Sequence, residues 1–199
     1  MKHQIFALHG GNISATYEDY LEYLRKMEVT IEKLRSLDWK NSLEEKLGGE
    51  FEVILPRMPN SKNAKYLEWK IYFEKLIPLM EPNVTLIGHS LGGVFLAKYL
   101  SEEIFPKRIC ATLLVAAPFL TPDLHLGTDF VLPQNLHQLT EQAGNIYLYH
   151  SEDDAVVPFS HMSTFQKALP NARCTAFTDR GHFNGPEFPE LVNDILAMH

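Results

Sequence analysis

The residues Val84-Thr85-Leu86-Ile87-Gly88-His89-Ser90-Leu91-Gly92-Gly93 carry the most chemistry in this chain. An apolar run of strand type leads into G-x-S-x-G, and a helical pattern follows. A nucleophile elbow requires that context: a strand-to-helix turn so sharp that the serine protrudes on a strained backbone. The positions two before and two after the serine must be small, and Gly88 and Gly92 meet that demand. The turn also sets Ser90 at the amino end of the next helix, where peptide N–H groups and the dipole favour negative charge. Ser90 is the expected nucleophile. His89 points off the line of attack from its neighbouring position, so it is expected to pack or support rather than act as base.

A serine hydroxyl needs a general base within hydrogen-bond reach, and the base needs an orienting carboxylate. Behind an elbow of this kind the chain order is serine, acid, histidine. A strand-like run at 146–149 leads into His150-Ser151-Glu152-Asp153-Asp154-Ala155-Val156-Val157-Pro158. Asp154, directly before Ala-Val-Val-Pro, is the preferred acid, with Asp153 as the alternative or as a cap of the turn. The last strand-like run, 174–177, leads into Asp179-Arg180-Gly181-His182-Phe183. Gly181 permits a tight loop over the sheet edge, and His182 is the expected base. The loop Leu8-His9-Gly10-Gly11-Asn12 offers half of an oxyanion hole. The amides of Leu91 and Gly11 are the expected donors, with Asn12 as the alternative to Gly11 and His9 as a brace. His150, Asp153, Asp154 and His161 show no recurring metal-ligand spacing, so no metal is expected.

Together, HGG near the amino terminus, GHSLGG, SEDDAVVP and RGHF resemble the small serine hydrolases of the bacterial YdeN type, which are related to retinoblastoma-binding protein nine. The resemblance runs from His3 to the last helix. GHSLGG is shared by many hydrolases; the short chain and the D-x-V-V-P and G-H-F elements narrow it. The resemblance implies a cofactor-free enzyme of the α/β-hydrolase fold with Ser90, Asp154 and His182 as its triad. It also implies a minimal six-stranded sheet in the order 2-1-3-4-5-6, without the first two strands of larger hydrolases.

Something must hold these residues in place. Short apolar runs at 5–8, 51–55, 84–87, 109–115, 146–149 and 174–177 are near-continuous, as in parallel strands covered on both faces. Helical patterns occupy 65–80, 94–101, 160–169 and 188–198, with Pro78 ending or kinking the first. This alternation predicts a three-layer α/β architecture with a mainly parallel sheet and ligands at the carboxyl ends of its strands. Residues 1–199 are expected to form a single domain, with a helical insertion at about 15–38 near the active site. From 16 to about 47 the pattern is helical, broken near 38–42. Tyr17, Tyr20, Leu21, Leu24, Met27, Ile31 and Leu34 form one stripe. That stripe is either a lid or acyl-pocket wall, or a face packed on the body. Residues 119–135 are a second candidate for shaping the pocket.

A net charge of −7 over 199 residues argues against nucleic acid as a partner. No run of about 18 apolar residues suggests a membrane span. The start lacks a signal-peptide pattern, so a cytoplasmic location is expected, and Cys110 and Cys174 are read as reduced thiols. The expected activity is hydrolysis of small-molecule esters of small to medium acyl groups through an acyl-enzyme. Alternatives are an amidase, peptidase or acyltransferase on the same triad, or a protein-binding module with a vestigial one.

Overall fold

Six apolar runs form one sheet: β1 (His3–Leu8), β2 (Phe51–Ile54), β3 (Val84–His89), β4 (Ile109–Val115), β5 (Asn145–Ser151) and β6 (Arg173–Phe177). The computed structural model describes residues 2–121 and 128–199. The strand order is β2-β1-β3-β4-β5-β6, as expected, and every pairing is parallel. The winding reverses between β1 and β3, so the crevice of such a sheet opens beyond their carboxyl ends. Those ends carry Gly10 to Asn12 and Ser90.

Alternation along each strand divides the side chains between two cores. Phe6, Leu8, Leu86, Leu114 and Leu148 face one helical layer. Ile5, Ala7, Ile87, Leu113, Val115, Tyr147 and Tyr149 face the other. The first layer contains α4 (Tyr66–Leu76), α5 (Leu91–Glu102), α6 (His137–Gln142) and α7 (Ser160–Ala168). Edge-to-face aromatic contacts knit it together: Trp69–Phe95 at 5.7 Å, Trp69–Phe130 at 5.5 Å and Phe73–Phe95 at 5.3 Å. The second layer is α3 (Trp39–Leu47) with α8 (Pro189–Leu196), joined to the sheet by Trp39, Leu43, Phe188, Leu191 and Ile195. The helix expected over 65–80 stops at Leu76 and tightens into a 3₁₀ turn at Ile77–Leu79, where Pro78 lacks an N–H for a further α-helical bond.

The stretch after β1 differs from its sequence pattern. It holds two short helices, α1 (Tyr17–Lys26) and α2 (Ile31–Arg35), and neither buries a residue fully. Thr16 and Asp19 form a capping box at the start of α1. Tyr20, Leu21, Leu24 and Met27 are half-buried, but Tyr17, Ile31 and Leu34 are 63%, 60% and 70% exposed. The stripe ends at Met27, which leaves helical geometry at φ −65, ψ 120. The break expected near 38–42 is therefore misplaced. The chain breaks after Met27 and again at Ser36, while Asp38 starts α3 through a capping box with Asn41. An Asp-x-x-Asn pair before an apolar residue is a helix start rather than an interruption.

Within the second pocket-shaping stretch, residues 122–127 lie outside the described residues. On either side of them Leu120, Phe130 and Leu132 are buried, and the Leu132 N–H donates to the Leu120 carbonyl at 2.9 Å. Cys110 and Cys174 are free thiols, partly exposed. Among the described residues, no helix is long and apolar enough to cross a membrane.

Candidate active site

Ser90 is the N-cap of α5 and sits at φ 55, ψ −122, a conformation a side chain rarely adopts. Holding it costs on the order of 1–3 kcal/mol, so the surroundings must over-determine it. They do. The Ser90 N–H donates to Val115 O at 2.8 Å, and the Ser90 carbonyl accepts the Gly93 N–H at 2.9 Å. A Cβ on Gly88 would lie 2.5 Å from Gly92 O, and one on Gly92 would lie 2.7 Å from His9 O. Only glycine fits both places.

Three elements converge on this serine. His182, in the loop after β6, places Nε2 2.9 Å from Ser90 Oγ. Its Nδ1 lies 2.8 Å from Asp154 Oδ2, in the turn after β5. A hydroxyl donating to Nε2 and an Nδ1–H donating to the carboxylate satisfy both contacts with one tautomer. The Asp154 side chain is fully buried, and its other oxygen accepts the N–H groups of Val156 (2.8 Å) and Val157 (2.9 Å). Those bonds offset the desolvation of a buried carboxylate. Asp153 sits elsewhere: its Oδ1 accepts from Ser151 Oγ at 2.5 Å and from the Gly181 N–H at 2.8 Å, tying the turn after β5 to the loop after β6.

The loop after β1 lies across the elbow. The Asn12 N–H is occupied by Ser61 O at 2.8 Å, which leaves Gly11 rather than Asn12 as the available amide. Among the described residues, the Gly11 and Leu91 amides donate to no backbone carbonyl. Gly11 packs so tightly that a Cβ there would lie 2.7 Å from Ser61 O. His9 braces the loop, accepting the Met58 N–H on Nε2 at 2.9 Å while its Nδ1 meets Gly10 O at 2.6 Å.

The histidines considered for a metal cluster have other contacts. His150 donates from Nε2 to Val157 O at 2.9 Å and lies 3.6 Å from Asp154 Oδ2. Burial pushes its proton affinity down, which keeps a neutral ring behind the carboxylate. His161 accepts the Phe119 N–H on Nδ1 at 2.8 Å. Among the described residues, no group of three potential metal ligands is assembled.

Two clefts meet at Ser90. One, of about 340 Å³, is polar and bordered by Asn12, Asp38, Lys40, Ser61, His89 and Asn184. The other, of about 420 Å³, is more apolar and bordered by Ile13, Leu91, Pro118, Leu120, Val156 and Pro158.

Sequence reasoning missed the polar side. Lys40 is 7% exposed; its Nζ lies 2.6 Å from Asp38 Oδ2 and 3.3 Å from His89 Nδ1. Burial lowers the proton affinity of Lys40, opposed by the Asp38 carboxylate. His89 is held well below its usual value, first by burial and then by the Lys40 ammonium, and it donates from Nε2 to the His182 carbonyl at 2.8 Å. The available signal was the Asp38 capping box, which starts a helix with Trp39 and Lys40 in its first turn.

A family model described as "Serine hydrolase" matches residues 33–187, and the chain belongs to that family. Serine hydrolase RBBP9 of Rattus norvegicus is 27% identical over 153 residues, 74% of this chain and 78% of that protein. The putative hydrolase YdeN of Bacillus subtilis is 23% identical over 204 residues, spanning 100% of this chain and 97% of YdeN. The crystal structure of the B. subtilis ydeN gene product superimposes with a TM-score of 0.77 at 19% identity, covering 99% of this chain and 98% of that one. An esterase from Exiguobacterium antarcticum shares the fold at a TM-score of 0.61 and 16% identity, with coverage of 98% and 91%.

Proposed function

We propose that the protein hydrolyses carboxylic esters of small to medium acyl groups through an acyl-enzyme on Ser90. The observation that carries this reading is the chain of hydrogen bonds from Ser90 Oγ through His182 to the buried Asp154. Ser90 Oγ attacks the ester carbonyl while His182 Nε2 takes its proton. Asp154 holds the imidazole in its Nδ1–H tautomer and stabilises the imidazolium. The Gly11 and Leu91 amides receive the oxyanion; one such donor typically contributes about 2.7–4 kcal/mol to the transition state. His182 returns the proton to the departing alkoxide. Water, deprotonated by His182, then attacks the acyl-enzyme and releases the acid and Ser90.

The apolar cleft suits the acyl chain and the polar cleft suits the alcohol. Residues 15–38 form a wall beside the site, with Asp38 bordering the polar cleft and the segment tied to the oxyanion loop by the Asn12 Nδ2–H to Tyr23 Oη bond at 2.8 Å. The relatives named as hydrolases, and the esterase that shares the fold, are consistent with this chemistry.

A series of p-nitrophenyl esters from acetate to laurate tests the proposal. The expected result is hydrolysis with the highest kcat/KM at the short to middle chains, abolished in Ser90→Ala. Turnover no greater than that of Ser90→Ala across the series would overturn it.

A further inference from the structure

His182 must hold its imidazole steady, yet it sits in a loop between β6 and α8 with little regular structure of its own. Its neighbours Gly181 and Phe183 both take positive φ, 51 and 53. Such a loop keeps its shape only if its backbone groups are held from outside.

We propose that Trp39, Lys40 and His89 form a clamp that positions the main chain of the base loop and thereby sets His182 against Ser90. The inference rests on the acyl-enzyme reading above and adds positioning residues to it. Three bonds cross from the start of α3 and the end of β3 to this loop. The His89 Nε2–H donates to His182 O at 2.8 Å. The Trp39 Nε1–H donates to Phe183 O at 3.0 Å. The Trp39 backbone N–H donates to Gly185 O at 3.0 Å.

Lys40 sets the tautomer. An ammonium facing His89 Nδ1 leaves that nitrogen as acceptor, so the ring proton resides on Nε2, where it meets the His182 carbonyl. Asp38 holds the ammonium from the other side at 2.6 Å. The residue beside the nucleophile thus grips the carbonyl of the base, and the two reacting side chains are registered through one contact. Trp39 and His89, at 2% and 5% exposure, make these bonds away from water, where an unmade bond is costly.

The test uses Lys40→Met, Lys40→Arg and Trp39→Phe, the last removing the indole N–H together with the volume of one ring of a buried side chain. Steady-state kinetics on p-nitrophenyl butyrate and the low-field NMR signal of the His182 Nδ1–H are both read. The expected kcat of Lys40→Met and Trp39→Phe is lower by about tenfold or more, with KM within about twofold, since displacements of this kind act on the transition state. Lys40→Arg recovers most of the loss, and the low-field signal broadens in the two impaired variants. If Lys40→Met does not fold, Trp39→Phe alone decides. A kcat within about threefold of wild type in the folded variants, or a change confined to KM, would overturn the clamp. The NMR signal keeps the two proposals separable. A wild-type protein without esterase activity defeats the reading of function, whereas an unchanged His182 signal in both variants defeats the clamp.

Discussion

Asp153 and Asp154 are adjacent carboxylates with different partners. Asp154 receives the imidazole N–H, and Asp153 receives the Gly181 amide one residue before that imidazole. Asp154→Asn is expected to lower kcat by about 10⁴, because the amide favours the wrong tautomer of the base. Asp153→Ala removes only the tie between two loops, and its expected loss is about tenfold. Stopped-flow or steady-state kcat values on one ester compare them directly; equal losses would contradict the division of labour. Chain order and the Ala-Val-Val-Pro context favour Asp154 over Asp153 in the sequence because that context is local. The partners of His89 are 49 and 93 positions away in the chain, so no local pattern reveals them.

The elements around the site differ in how tightly they are built. The β3–α5 elbow has no spare volume. Gly88→Ala places a methyl 2.5 Å from backbone atoms that cannot retreat. The expected cost is about 1–3 kcal/mol in denaturant unfolding, with a larger proportional loss of activity as Ser90 moves. An unchanged unfolding midpoint and rate would contradict the packing argument. The helices α1 and α2 are the opposite case, with no fully buried residue in either. If they wall the site, replacing residues 17–35 by a short Gly/Ser linker changes the chain-length profile of the ester series. An unchanged chain-length profile in a folded variant would remove residues 15–38 from the site. The helical stripe was visible in the sequence, but its ending at Met27 was not. Apolar spacing continues through Ile31 and Leu34, although the backbone turns away first.

At the scale of the whole molecule, six near-continuous apolar runs specified the parallel sheet, since strands covered on both faces cannot alternate in polarity. The same two-sided burial places titratable groups in the interior. His89 and His150 are both held below their usual value of 6.5, chiefly by burial. Folding disfavours their protonation, whereas the unfolded chain protonates them near that value. Below about pH 6.5 the unfolded state therefore binds more protons, and stability falls as the pH falls. Each group removes at most about 1.4 kcal/mol per pH unit. Urea unfolding from about pH 7.5 down to 5.5 is expected to show this decline, less steeply in His89→Gln. An identical slope in wild type and variant would contradict the neutral burial of His89.

The proposed function is tested most directly by the reaction of Ser90 itself. Incubation with a fluorophosphonate, followed by intact-mass and peptide mass spectrometry, reads one covalent event at one atom. The expected result is a single phosphonyl adduct on Ser90 with loss of fluoride, absent in Ser90→Ala and strongly slowed in His182→Ala. A folded wild-type protein that stays unlabelled, or an adduct that persists in Ser90→Ala, would contradict the assignment of Ser90 as the nucleophile.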